Sequence, residues 1–207
     1  MTAERRGGFT LVELLVALAI IAVLLGLMSA GLAQVRQSGR RVQCLANLRS
    51  FGVALRLYAN DHDGFLPRAG LLPDLLDGHN ELALSLQGYL ESRIPTLEEG
   101  GVIRVEAPWR CPADRGLAEL RGSSYAYDFN WVIDTTRADG DRFALRKASQ
   151  LAAADPSMVL MSDPPASVVL ALKLPTDPRH PRGDGSGRLA LFSDGRADWA
   201  PNRTGQP

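Results

Sequence analysis

Apolar positions run almost without a break from Leu14 to Leu32, then recur at spacings of three and four. A charge-free run of about 20 residues is long enough to cross a bilayer, and few buried helices of soluble domains match it. It is too long for the core of a secretory signal, and no Ala-x-Ala cleavage site follows it directly. From Arg36 to Asn60 there is no proline, and Leu45, Leu48, Gly52, Leu55 and Ala59 fall on one helical face. Arg40, Gln43, Asn47, Arg49 and Arg56 mostly take the other faces. Together these stretches predict one helix from Phe9 to Asn60, about 50 residues and ~75–80 Å long at the α-helical rise. Its membrane-spanning half covers 9–33 and its amphipathic half 34–60. Gly26, Gly31 and Gly39 permit close helix approach or bending. Asn60-Asp61-His62-Asp63-Gly64 ends the helix, with Gly64 suited to positive φ and Pro67 shortly after it.

The remainder, 61–207, reads as one globular domain. Residues 67–100 suggest loop and short helices, with helical spacing at Leu71–Leu76 and Glu81–Tyr89. Beyond them the pattern is that of strands: Val102–Glu106, Tyr125–Ile133, Met158–Met161, Val168–Leu172, Leu189–Phe192 and Arg196–Trp199. Ser193-Asp194-Gly195 joins the last two, and an Asp-Gly pair between such runs predicts a hairpin. A long helix followed by a small antiparallel sheet is an α+β arrangement.

Composition narrows the partners. The 207 residues carry no formal net charge, and no basic stripe lies outside the helix region, so nucleic acid is not expected as a partner. After subtraction of the apolar helix roughly 150 residues remain, enough for one core.

One polar residue interrupts this picture at its most sensitive point. Glu13 sits just inside the start of the apolar run, behind a short basic leader with Arg5 and Arg6. An isolated carboxylate near hydrocarbon is costly and asks for a partner. The words Gly7-Gly8-Phe9-Thr10-Leu11-Val12-Glu13 resemble the cleavage and methylation signal of type IV prepilins and type II secretion pseudopilins. The resemblance implies a leader over 1–8, cleavage by prepilin peptidase between Gly8 and Phe9, and N-methylation of Phe9. It implies that Glu13 then pairs with the N-terminal amine of a neighbouring subunit. The partners it implies are the peptidase, other pilin-like subunits and the bacterial inner membrane, with the globular domain outside the cytoplasm. An uncleaved signal anchor would leave Glu13 and the Gly-Phe junction unexplained. Loss of Glu4, Arg5 and Arg6 with the leader removes one acid and two bases, leaving a mature net charge of −1. Charge alone does not favour the outward orientation, because Arg36, Arg40 and Arg41 follow the span as Arg5 and Arg6 precede it. The resemblance sets the orientation instead, its leader being cytoplasmic.

The resemblance extends along the chain through Cys44-Leu45-Ala46-Asn47-Leu48, Tyr58-Ala59-Asn60-Asp61, Cys111-Pro112-Ala113-Asp114, Ser124-Tyr125-Ala126-Tyr127, and His180 followed by Asp194-Gly195. These words look like pilin-like proteins that end in a His-spacer-Asp-Gly element. Here the spacer is long, and Arg196 stands where the family commonly has histidine. In a domain outside the cytoplasm two cysteines favour one disulfide, Cys44–Cys111, over two buried thiols.

Chemistry beyond this is sparse. No metalloprotease helix, nucleophile elbow or phosphate loop is present, and no enzyme or cofactor is expected. Asp61 and Asp63 fall short of a calcium loop, lacking its further oxygens and downstream glutamate. His180 with Asp184 and Asp194 is a weak metal candidate, a turn role for Asp194 being the simpler reading. Trp109, Trp131 and Trp199 are expected to fill the core. Two functions follow: a filament subunit assembled through its N-terminal helix, or a solitary membrane-anchored binding or adhesion module.

Overall fold

The computed structural model describes residues 10–70, 75, 78, 80–128, 133–134, 144–145, 147–164, 172–173 and 187–201. Its first element is α1, Leu11–Asp61, 51 residues long. The chain divides into two compact units, Met1–Gly39 and Arg40–Pro207, and α1 contributes to both.

In the first unit α1 has no buried face among the described residues. Leu11, Leu15, Leu18, Ile20, Leu24 and Leu27 are all at least half exposed. A helix that is apolar all round has no core side and no solvent side, so its lipid or protein surroundings come from elsewhere. No single helix among the described residues is both long and apolar enough to cross a membrane. Leu11–Leu27 and Leu32–Asp61 meet that requirement only as a pair, by length and composition.

In the second unit α1 becomes one-sided. Cys44, Leu48, Phe51, Ala54, Leu55 and Ala59 are buried, and Arg40, Gln43, Arg49 and Arg56 are exposed. Leu48, Gly52, Leu55 and Ala59 thus lie on the buried face that their spacing predicts. Asn47 does not follow expectation: it is 6 % exposed and belongs to the core face. The helix ends where Gly64 N–H reaches back to Ala59 O at 2.7 Å. That 6→1 bond is the Schellman closure, which needs a left-handed residue before it. Asp63 takes that position at φ 54°, with Gly64 following at φ 87°.

The buried face packs on a four-stranded antiparallel sheet of order β3-β6-β7-β8, comprising β3 (Ala126–Tyr127), β6 (Val159–Ser162), β7 (Gly187–Phe192) and β8 (Ala197–Pro201). Strands β7 and β8 form the expected hairpin, with Phe192 N–H bonded to Arg196 O and Gly195 N–H to Phe192 O, each at 2.8 Å. Two two-stranded ribbons stand apart from this sheet: β1 (Thr96–Leu97) with β2 (Ile103–Arg104), before β3 in sequence, and β4 (Ile133–Asp134) with β5 (Ala144–Leu145), between β3 and β6. Among the described residues the unit also has three short helices: α2 (Glu81–Leu86), α3 (Leu117–Arg121) and α4 (Ala148–Ala154). This is the expected α+β, pilin-like arrangement of one long helix on small antiparallel sheets.

Several local expectations are corrected. Helices α3 and α4 lie in the half read as strands, and β1 lies in the stretch read as loop and helix. Tyr125–Ile133 is not one strand, since β3 ends at Tyr127 and Ile133 opens β4. Five to seven residues of helix carry too few turns to show a period. Leu71–Leu76 lies outside the described residues but for Leu75, as does Val168–Leu172 but for Leu172.

Gly52 sets the distance between helix and sheet. A Cβ there would come within 2.8 Å of Leu191 Cδ1 on β7. Because the end of Leu191 can rotate, Gly52→Ala is expected to stay within about 1 kcal/mol of the parent, helix propensity offsetting the crowding. Gly52→Leu should cost ~1–3 kcal/mol as an overpacked contact. Thermal melts followed by near-UV circular dichroism check both; equal stability of the two variants contradicts the close approach.

Candidate functional site

The head of α1 is built from a four-residue word. Thr10 precedes the first helical residue, where backbone N–H groups lack intrahelical acceptors. Its backbone N–H donates to Glu13 Oε2 at 2.9 Å, and its hydroxyl donates to the same oxygen at 2.7 Å. The Glu13 N–H lies 3.3 Å from Thr10 Oγ1. This is a capping box, each side chain serving the other's backbone. The pattern Thr-x-x-Glu before an apolar run is legible in sequence, and the reading of Glu13 as a purely intermolecular partner passes over it. Both bonds fall on one carboxylate oxygen and are neutral-donor bonds, so they solvate the charge without cancelling it. A cation is still needed to neutralise Glu13 in a medium of low dielectric. Gly8 and Phe9, the expected cleavage and methylation positions, lie outside the described residues.

The second unit holds a different constellation, which ties α1 to the sequence words of the domain. Cys44 and Cys111 form a disulfide, with Cα atoms 5.2 Å apart and both residues fully buried. One turn on, Asn47 Nδ2 donates to Arg110 O at 2.9 Å and to the Tyr125 hydroxyl oxygen at 3.3 Å. The Tyr125 hydroxyl donates to Cys44 O at 3.4 Å. Phe51 lies edge-on to Trp109 at 4.8 Å and to Tyr125 at 5.9 Å between ring centres.

The Cys-Pro-x-Asp and Ser-Tyr-x-Tyr words meet here. Asp114 accepts from the N–H groups of Arg115, Leu117 and Ala118, capping α3. Its Oδ2 also accepts from Ser124 Oγ at 2.6 Å, and Ser124 Oγ accepts from Cys111 N–H at 2.9 Å. Tyr127 donates to Pro67 O at 3.0 Å, and burial pushes its phenol far above the ordinary value, so it stays a donor. Tyr89 is raised by partial desolvation first and by its bond to Asp61 Oδ2 second. A serine beside an aspartate here serves backbone donors within a buried cap, an arrangement that stabilises and offers no nucleophile.

Asp194 lies in the β7–β8 turn, exposed, with Oδ1 accepting the Arg196 N–H at 2.8 Å. Its carbonyl accepts from Arg56 Nη2 on α1. His180 and Asp184 lie outside the described residues. Among the described residues no group of three or more His, Cys, Asp or Glu side chains could hold a metal. Trp109 is fully buried and Trp199 half-buried; Trp131 is outside the described residues.

Comparison with family models gives a match of residues 5–29 to the prokaryotic N-terminal methylation motif. Comparison with curated proteins and with solved structures gives no match. The matched segment holds the expected cleavage positions Gly8 and Phe9, the capping box and the first turns of the apolar run. It supports a pilin- or pseudopilin-type precursor processed by a peptidase, and suggests an N-terminal helix anchored in membrane.

The disulfide closes a loop between positions 67 apart in sequence. Replacing both cysteines by alanine is expected to lower stability by ~2–4 kcal/mol, chiefly by freeing the unfolded chain. A melting temperature unchanged from the oxidised parent contradicts the role assigned to this bridge.

Proposed function

We propose that the mature chain is a structural subunit of a type IV pilus-like or type II secretion pseudopilus filament. Prepilin peptidase cleaves it between Gly8 and Phe9 and the new Phe9 amine is methylated. The subunit then assembles with copies of itself or other pilin-like chains through the first half of α1. What carries the reading is the combination at the head of α1: a methylation-motif match over 5–29, and one carboxylate leading an apolar helix exposed on all sides. Side-by-side helices would bury that surface, and the carboxylate would fix their register. The amine on Phe9 of a neighbouring subunit, four positions before the carboxylate in sequence, would meet it once the two helices are offset by about one turn. Until assembly, the Thr10 cap partly solvates Glu13, which makes the waiting state in the membrane tolerable.

The capping box and the ion pair are separable by mutation. Glu13→Gln keeps a side chain that can cap Thr10 N–H but loses the charge. Thr10→Ala removes a cap partner and keeps the charge, at ~0.5–2 kcal/mol of local helix stability. The ion-pair account expects Glu13→Gln to abolish crosslinked ladders of mature chains in native membranes, and Thr10→Ala to retain them. Ladders of normal length from Glu13→Gln contradict assembly through this carboxylate. A parent chain that gives no ladder at all favours the solitary anchored module instead.

A further inference from the structure

We infer that Arg40, Arg41 and Trp199 form a collar that binds the headgroups of anionic phospholipid, an inference that rests on reading the apolar segment as a membrane span. The starting observation is an imbalance. Between Glu13 and Asp61 the chain has no acidic residue, yet it carries Arg36, Arg40, Arg41, Arg49 and Arg56. A solvated helix face ordinarily mixes both signs, which stabilise each other at helical spacing. A helix surface whose charges are all of one sign selects a partner of the other.

Position identifies that partner. Arg40 and Arg41 follow Leu32, the end of the apolar run, by eight and nine residues. The helical rise sets them ~12–14 Å further along the chain. The headgroup layer extends ~5–8 Å beyond the hydrocarbon on each side. Side chains on a helix lean toward its N-terminus, and a long arginine stem recovers the remaining distance. On a span that continues along the membrane normal, the guanidinium groups would return to the level of the phosphates.

Trp199 supplies the second observation. The Arg41 guanidinium lies over the Trp199 ring, 4.6 Å from its centre. Trp199 is half-buried on β8, and its acidic neighbour Asp198 accepts the Trp199 N–H through Oδ1 at 2.8 Å. Tryptophan concentrates at membrane interfaces, where its indole is apolar in body and polar at one edge. One exposed cation over such a ring, with a second exposed cation next to it in sequence, fits a phosphodiester on a glycerol backbone; a free phosphate would use the cations and leave the indole idle. Arginines after the span also cease to conflict with an outward domain, because anionic lipid on that side would compensate them.

The test uses the full chain in nanodiscs of neutral lipid, or with about one-third anionic lipid, each carrying a nitroxide at the headgroup. Quenching of tryptophan fluorescence is read in the parent and in Trp199→Phe, the difference isolating Trp199. The collar predicts at least about twofold more Trp199 quenching in anionic discs, largely lost at high salt. Arg40→Gln with Arg41→Gln should return it to the neutral-disc level, while Arg49→Gln leaves it unchanged. Equal quenching in both discs, or no effect of the double variant, overturns the collar and leaves the span reading intact. A chain that does not enter the discs overturns the span reading, and the collar with it.

Discussion

An α-helix satisfies its own backbone hydrogen bonds except at its ends, which is why one can pass from a protein core into hydrocarbon without stranding polar groups. Everything in this chain depends on that property of α1. Its second half buries Cys44, Leu48, Phe51 and Leu55 against a sheet; its first half has no buried residue among the described ones. Two backbone donors at the head of the helix, those of Thr10 and Glu13, are met by each other's side chains, so the capping that starts the helix also sets a carboxylate at its most apolar end.

The domain is secured to α1 by chemistry of a different kind. A disulfide, an amide that donates to two acceptors and an edge-on aromatic pair all fall within two turns, from Cys44 to Phe51. At the next turns Gly52 admits β7, and Arg56 holds the β7–β8 turn through the Asp194 carbonyl. Covalent, polar and steric contacts thus alternate along one helical face.

Much of this was legible because it rests on period and on turn chemistry. The spacing of Leu48, Gly52, Leu55 and Ala59 marks the buried face, and Asp194-Gly195 marks the hairpin. The Cys44–Cys111 pairing follows from an even cysteine count in a domain expected outside the cytoplasm. What escaped did so for identifiable reasons. Asn47 reads as an outer residue because its burial depends on Arg110 and Tyr125, more than sixty positions away. Gly64 has the expected positive φ, but Asp63 before it is left-handed too, a conformation that side chains rarely adopt. Helices α3 and α4 are too short for a period, and α3 depends on an Asp114 cap shared with Ser124. The capping box at Thr10 was fully visible in sequence; the demand for a partner outside the chain hid the partner three residues away.

The central claim is that the chain is a processed, pilin-like subunit whose N-terminus begins at the head of α1. The intact mass and N-terminal peptide of the protein from its native membranes, taken without reduction, test it most directly. The account predicts a chain starting at N-methylated Phe9 and two hydrogens lighter than the dithiol, as the Cys44–Cys111 bridge requires. A chain that still starts at Met1 or Thr2, with both thiols free, would contradict it.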